Sequence, residues 1–245
     1  MVQPAVPVEE GKKEFVHKMF DKIAPRYDLL NRVLSGGIDQ SWRRKTVSML
    51  AADHPKRILD IATGTADLAI MTAKLKPVSI IGIDIAEEML EIGRRKIRRK
   101  GLDDTIELRV GDAEDLPFQD AEFDAVLVAF GVRNFENLGL GLSEMGRVLK
   151  PGGRLLILEF SRPTVVPIKQ LYSFYGRYIL PRIGKMVSGD DEAYSYLPES
   201  IEGFPERGDF LELMDRVGFA DSTVTSLTFG IAAIYSARAG QSGRD

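Results

Sequence analysis

Residues 125–130 read Ala-Val-Leu-Val-Ala-Phe, with no polar residue to face water on either side. A strand this apolar must be covered on both faces, and both-face burial is the habit of parallel sheets. Similar short, β-branched runs recur at Arg57–Ala62, Val78–Asp84, Thr105–Gly111, Phe123–Phe130 and Gly153–Phe160, and two more close the chain at Thr223–Thr228 and Ile231–Arg238. Helical patterns lie between them, at Thr65–Leu75, Glu87–Lys100, Asn137–Leu149 and Pro205–Val217. In the third, Leu138, Leu142, Met145 and Leu149 share one face, and Lys150-Pro151-Gly152-Gly153 stops it. Strand–helix alternation with short links predicts right-handed crossovers and an α/β fold: a doubly wound, mostly parallel seven-stranded sheet. Only Phe229 and Gly230 separate the last two strands, which predicts an antiparallel C-terminal hairpin.

Two segments stand outside this alternation. Residues 1–52 hold a helical leader in which Phe15, Val16, Met19, Phe20 and Ile23 form an apolar face ended by Pro25. Residues 161–204 form an insertion that carries five of the seven tyrosines. The expected organisation is a single domain: leader 1–52, ligand-binding core 53–160, substrate-side insertion 161–204, last helix and hairpin 205–238, and tail 239–245.

Charge and composition narrow the function. With 33 basic against 36 acidic residues the net charge is −3, which argues against a nucleic-acid partner. There is no cysteine, so disulfides and thiolate chemistry are excluded. His17 and His54 are too few for an ordinary histidine metal site, and no metal is expected. No apolar run approaches the roughly 18 residues of a membrane span. The N-terminus lacks the basic-then-apolar order of a signal peptide, so a cytoplasmic protein is expected.

The chemistry gathers at the strand ends. The first strand runs into Asp60-Ile61-Ala62-Thr63-Gly64-Thr65-Ala66-Asp67, the glycine turn that holds nucleotide-like ligands in such sheets. Asp84 ends the second strand, 20 residues after Gly64, where a carboxylate can accept from ribose hydroxyls. Asp112 and Ala113 follow the third strand, an acid and an amide placed to bracket an adenine edge. A dinucleotide site needs Gly-x-Gly-x-x-Gly, but Ala66 and Ala69 stand at the second and third positions. Asp60 is expected to place a negative charge at the mouth, which repels phosphate and suits a sulfonium. The cofactor that fits is S-adenosylmethionine (SAM). Taken singly, Gly64 also reads as a turn glycine, Asp84 as a helix cap and Asp112 as an Asx-turn.

The sequence resembles the SAM-dependent methyltransferases, and within them the C-methyltransferases of menaquinone and ubiquinone biosynthesis. Three core blocks carry the resemblance: Phe20-Asp21-Lys22-Ile23-Ala24-Pro25-Arg26-Tyr27-Asp28-Leu29-Leu30-Asn31, Ala129-Phe130-Gly131-Val132-Arg133-Asn134 and Arg147-Val148-Leu149-Lys150-Pro151-Gly152-Gly153-Arg154. The insertion adds Leu180-Pro181-Arg182-Ile183-Gly184 and Tyr194-Ser195-Tyr196-Leu197-Pro198-Glu199-Ser200-Ile201. The resemblance spans residues 12–237 and implies a Rossmann-like SAM methyltransferase fold, with cofactor contacts at Thr65, Asp84, Asp112 and Ala113 and near Ala129. Ala66 stands where the family usually has glycine, and Ala129 where many members have serine.

The implied reaction is methyl transfer from SAM to a ring carbon of a prenylated quinol, demethylmenaquinol foremost. A ubiquinol precursor, or another lipid or small molecule, is the alternative. On this reading Arg133 favours a phenolate, Asn134 orients a quinol oxygen and Tyr27 joins them from the leader. The competing readings are an ion pair for Arg133 and a packed core residue for Tyr27. A lipid substrate implies peripheral contact with the inner face of a membrane. Leu171, Phe174, Tyr175, Tyr178 and Ile179, with Lys169, Arg177, Arg182 and Lys185 nearby, are candidates for a tail tunnel or interfacial helix. The run Arg94-Arg95-Lys96-Ile97-Arg98-Arg99-Lys100 is a second candidate for lipid contact or a plain solvated face. A homodimer is left open.

Overall fold

A computed structural model describes residues 11–163, 166–167, 170 and 192–240. Three leader helices come first: α1 (Lys12–Ile23), α2 (Tyr27–Ser35) and α3 (Asp39–Leu50). The alternating core follows as β1 (Arg57–Ile61), α4 (Asp67–Thr72), β2 (Ser79–Asp84), α5 (Glu87–Lys100), β3 (Ile106–Val110), β4 (Phe123–Ala129), α6 (Leu138–Val148) and β5 (Leu149–Phe160). The chain closes with α7 (Glu192–Gly203), α8 (Arg207–Arg216), β6 (Phe219–Leu227) and β7 (Ala232–Ala239).

The seven strands form one sheet in the order β3-β2-β1-β4-β5-β7-β6. The first five run parallel, and β7 lies antiparallel between β5 and β6. The strand order reverses at β1 and β4, the switch point outside which open α/β sheets bind ligands. Alternate residues of the central strands feed two apolar layers. Leu59, Val126 and Ile157 meet α6 and α8 on one face, while Ile58, Leu127 and Leu156 meet α3, α4 and α5 on the other. A third cluster ties the leader to the sheet: Phe15, Val16 and Met19 of α1 pack with Met89 of α5 and Tyr196 of α7.

The doubly wound sheet and its antiparallel end match the expected class; several boundaries differ for local reasons. The helix expected from Thr65 begins at Asp67, because Gly64 (φ 55°) and Ala66 (φ 65°) both adopt left-handed backbone. Strand β5 starts at Leu149 rather than Gly153. Its Pro-Gly-Gly segment is accommodated inside the strand, where the register jumps from Phe123↔Leu149 to Ala125↔Arg154. Strand β6 starts at Phe219, and a bulge at Asp221 (φ 54°) masks its first residues in the pattern. The insertion residues 171–185 proposed for the lipid tail lie outside the described residues. Among the described residues no helix is long and apolar enough to cross a membrane.

Candidate functional site

The tips of β1, β2, β3 and β4 open into one cavity of about 700 Å³ including its mouth. Ala62 and Gly64 reach it from β1, Asp84 and Ile85 from β2, Asp112 and Ala113 from β3, and Ala129, Phe130, Gly131 and Asn134 from β4. The leader roofs it with Lys13, Val16, Phe20 and Tyr27. The β1 and β4 tips touch so closely that a Cβ on Gly131 would stand 2.4 Å from the Ala62 Cβ.

Asp84 is held from both sides. One oxygen accepts from the Gly64 amide (2.8 Å) and the other from the Ala86 amide (2.9 Å). Burial pushes its pKa above the usual carboxylate range, against the pull of the Ala86, Gly64 and Ile85 amides. The capping role and the pocket position therefore coexist in one side chain. Asp112 likewise makes an Asx-turn to the Glu114 amide (2.9 Å) while lining the cavity. Its other oxygen takes a hydrogen bond from the Lys13 ammonium (2.5 Å) of the leader. That bond raises the pKa of Lys13.

Asp60 sits elsewhere than expected. It is only 1% exposed and lies beneath the glycine turn rather than at the mouth. One oxygen accepts from the Thr63 hydroxyl (2.7 Å) and the Ala69 amide (3.1 Å), and the other has no partner. Burial drives its pKa up to about 7. The strand interior places this side chain in an apolar layer, so it bears on the turn's shape instead of projecting a charge to the entrance.

Thr65 also points away from the cavity lining. Its hydroxyl donates to Asp28 of α2 (2.6 Å) and accepts from Lys96 of α5 (3.0 Å). Lys96 bonds Asp28 (2.9 Å) and Asp67 as well, so it clasps the leader to the glycine turn. Lys12 adds a second clasp, donating to the Arg133 (3.0 Å) and Phe135 (2.6 Å) carbonyls of the loop after β4. Burial lowers its pKa.

Arg133 is a buried structural pair, not a free cation facing a substrate. Its Nη1 donates to Glu159 (2.8 Å) and to the Phe130 carbonyl (2.5 Å), and its Nε to Ser200 (3.3 Å). Glu159 is fully buried and compensates the charge. Asn134 lines the cavity, where its Oδ1 accepts from the Tyr196 hydroxyl (3.2 Å) of α7. Tyr27 stands edge-on to Phe20 at 5.9 Å, its phenol held above the usual pKa by burial, so at neutral pH it is a hydrogen-bond donor. His17 pairs with Asp21 at 3.1 Å on the outer face of α1. In the basic run Arg94 and Lys96 are engaged within the fold, while Arg95, Arg98, Arg99 and Lys100 are exposed.

Sequence reasoning assigned no role in the site to Lys12, Lys13, Asp28, Lys96 or Glu159. Glu159 alone carries a signal, as a single acid inside the apolar run 155–160. The acceptor set suits an adenosyl cofactor: carboxylates at the β2 and β3 tips for hydroxyl and amino groups, with apolar walls around them.

The sequence profile of the ubiE/COQ5 methyltransferase family matches residues 8–239. The demethylmenaquinone methyltransferase of Bacteroides fragilis is 48% identical over 230 residues, covering 93% of this chain and 94% of that one. The enzyme of the same name from Porphyromonas gingivalis is 46% identical over 226 residues, covering 91% and 92%. The ubiquinone/menaquinone biosynthesis C-methyltransferase UbiE of Geotalea daltonii is 48% identical over 230 residues, covering 93% and 97%. Among solved structures the [4+2]-cyclase SpnF shares the fold at TM-score 0.66 and 20% identity, over 96% of this chain and 99% of that one. A possible histamine N-methyltransferase of Thermotoga maritima does so at TM-score 0.63 and 19% identity, over 91% and 98%.

Proposed function

The chain belongs to the ubiE/COQ5 methyltransferase family, whose cofactor is SAM, and on that premise we propose that it methylates a ring carbon of demethylmenaquinol. The observation that carries this reading is the mixed lining of the cavity. Carboxylates stand at the β2 and β3 tips, and Val16, Phe20, Tyr27, Phe130 and Phe135 line the same space with enough apolar surface for an aromatic ring. Asp84, Asp112 and Ala113 would hold the adenosyl part, with Gly64 and Ala129 beside it. The bound cofactor supplies an electrophilic methyl group.

The chain's own residues supply alignment and dryness. Tyr196 occupies Asn134 Oδ1, leaving the amide N–H groups to donate to a quinol oxygen and so favour electron density on the neighbouring ring carbon. The Tyr27 phenol serves as a second neutral donor at the same end. Arg133 acts as a positioning residue, fixing the Phe130 carbonyl and the loop that carries Asn134. The single-domain organisation, with the leader and helix α7 packed together beside the core, fits this reading.

A bilayer-borne substrate requires contact with lipid. Leu29 and Val33, one turn apart on α2, and nearby Ile38 are exposed, beside the exposed Arg26 and Arg32. An apolar face flanked by arginines suits an anionic membrane, to which Arg95, Arg98, Arg99 and Lys100 add charge. Salt-sensitive sedimentation with anionic liposomes tests the contact, and equal sedimentation with neutral and anionic vesicles would remove the charge argument.

The reaction itself is tested by offering labelled SAM with demethylmenaquinol and a ubiquinol precursor in parallel. Mass spectrometry should place the methyl on a carbon of the naphthoquinol ring. Label on oxygen, or on neither quinol, refutes the reading.

A further inference from the structure

Arg43 of α3 is a buried cation that the roles above leave unused. It is 6% exposed, and its guanidinium carbon lies 5.2 Å from the ring centroid of Phe130, a residue of the cavity wall at the β4 tip. Its ion-pair partner is Asp39, at 3.8 Å from Nε and beyond hydrogen-bond reach. That carboxylate is already engaged, accepting from the Ser35 hydroxyl (2.9 Å) and the Gln40 amide (3.0 Å). Arg43 Nε is buried without any hydrogen-bond partner. Among the described residues the guanidinium makes no hydrogen bond.

An arginine carries five N–H donors; here the one on Nε is buried and unmade, which is costly for a charged group. A fold keeps such a group where an acceptor arrives from outside. The acids stand at the β3 and β2 tips, which leaves the β1 and β4 tips for the other end of the cofactor. That end carries a carboxylate, and a planar guanidinium is the side chain best matched to one. We propose that Arg43 is the anchor for the methionyl carboxylate of SAM, on the reading of this cavity as the cofactor site. The rival acceptor is Asp60, whose free Oδ1 also lacks a partner and could be reached through a water.

Calorimetric titration separates the two. The ligands are S-adenosylhomocysteine and its decarboxylated analogue, S-adenosyl-3-thiopropylamine, added to the native protein, Arg43→Met and Arg43→Lys. An anchoring role predicts that Arg43→Met weakens S-adenosylhomocysteine more than ten-fold and the decarboxylated analogue less than two-fold. Arg43→Lys, which keeps the charge and guards against a folding defect, should lose less than Arg43→Met on the first ligand and nothing on the second. Equal losses on both ligands, as a structural bridge to Asp60 requires, overturn the proposal; so does unchanged binding of both. A native protein that binds neither ligand overturns instead the reading of the cavity.

Discussion

Replacing Arg133 by Met should unfold the chain more easily before it affects anything else. The change removes the Nη1 bonds to Glu159 and the Phe130 carbonyl and the Nε bond to Ser200. It leaves a fully buried carboxylate with only the backbone amides of Arg133 (3.3 Å) and Phe160 (2.8 Å) as donors. Breaking a buried ion pair from one side costs about 3–5 kcal/mol, and two surviving amide bonds place this case at the lower end, ~3 kcal/mol. At roughly 2–4 °C per kcal/mol for a chain of this size, the melting temperature should fall by about 6–12 °C. Glu159→Gln alone should cost less, since it removes the counter-charge but leaves the guanidinium its bonds to the Phe130 carbonyl and Ser200. The double variant Arg133→Met/Glu159→Gln should be less destabilised than the sum of the two by at least ~2 kcal/mol, because neither charge is then left alone. Urea melts of the four proteins at one pH give the cycle. Additive losses, or a loss under ~1 kcal/mol for Arg133→Met, would refute the view of this arginine as a compensated structural charge.

Three other outcomes follow from the site. Asp60, with its pKa raised by burial to about 7, binds its proton more tightly folded than unfolded, where about 3.9 applies. Its contribution is thus complete below pH 4 and lost as pH rises through 7, so Asp60→Asn should gain stability relative to the native chain between urea melts at pH 5 and pH 8. Gly131→Ala should cost about 1–3 kcal/mol and weaken S-adenosylhomocysteine in calorimetry, because the new Cβ meets that of Ala62 at 2.4 Å; Ala62→Gly, at a left-handed position, should restore both. Lys13→Met removes a half-exposed pair with Asp112, and thermal melts should move by less than the equivalent of ~1 kcal/mol.

The sheet and the row of acids at its edge were legible because each rests on a local rule. Apolar runs demand cover on both faces, and a glycine turn with an acid 20 residues on lands at neighbouring strand tips. The roles of the charges were less legible, because sequence distance hides who neutralises whom. Arg133 and Glu159 are 26 residues apart. Still, Glu159 occupies a stretch, residues 155–160, that is otherwise Leu-Leu-Ile-Leu and Phe, and an acid there has to find a cation or lose its charge. Asp60 meets the same demand partway, its pKa raised by burial to about 7, and reading it as a charge at the mouth ignored that it lies within the same kind of strand. Lys96 gave no such sign, embedded in a basic run whose exposed members look identical to it.

Arg43 is the instructive case between these. It begins a basic triplet, Arg43-Arg44-Lys45, within α3. Helical spacing divides the three: Arg43 shares a stripe with Val47 and Leu50, which are buried, whereas Arg44 and Lys45 face water. A cation on the apolar stripe of an amphipathic helix is as demanding as an acid in a buried strand. Glu159 meets its counter-charge and its hydrogen bonds inside the chain; Arg43 has Asp39 beyond hydrogen-bond reach and already occupied, Asp60 as a second carboxylate within its field, and no hydrogen bond of its own among the described residues. The difference between a structural charge and one held for a ligand therefore lies in whether the fold supplies acceptors for its donors, which is the quantity that the pair of titrations with and without a ligand carboxylate measures.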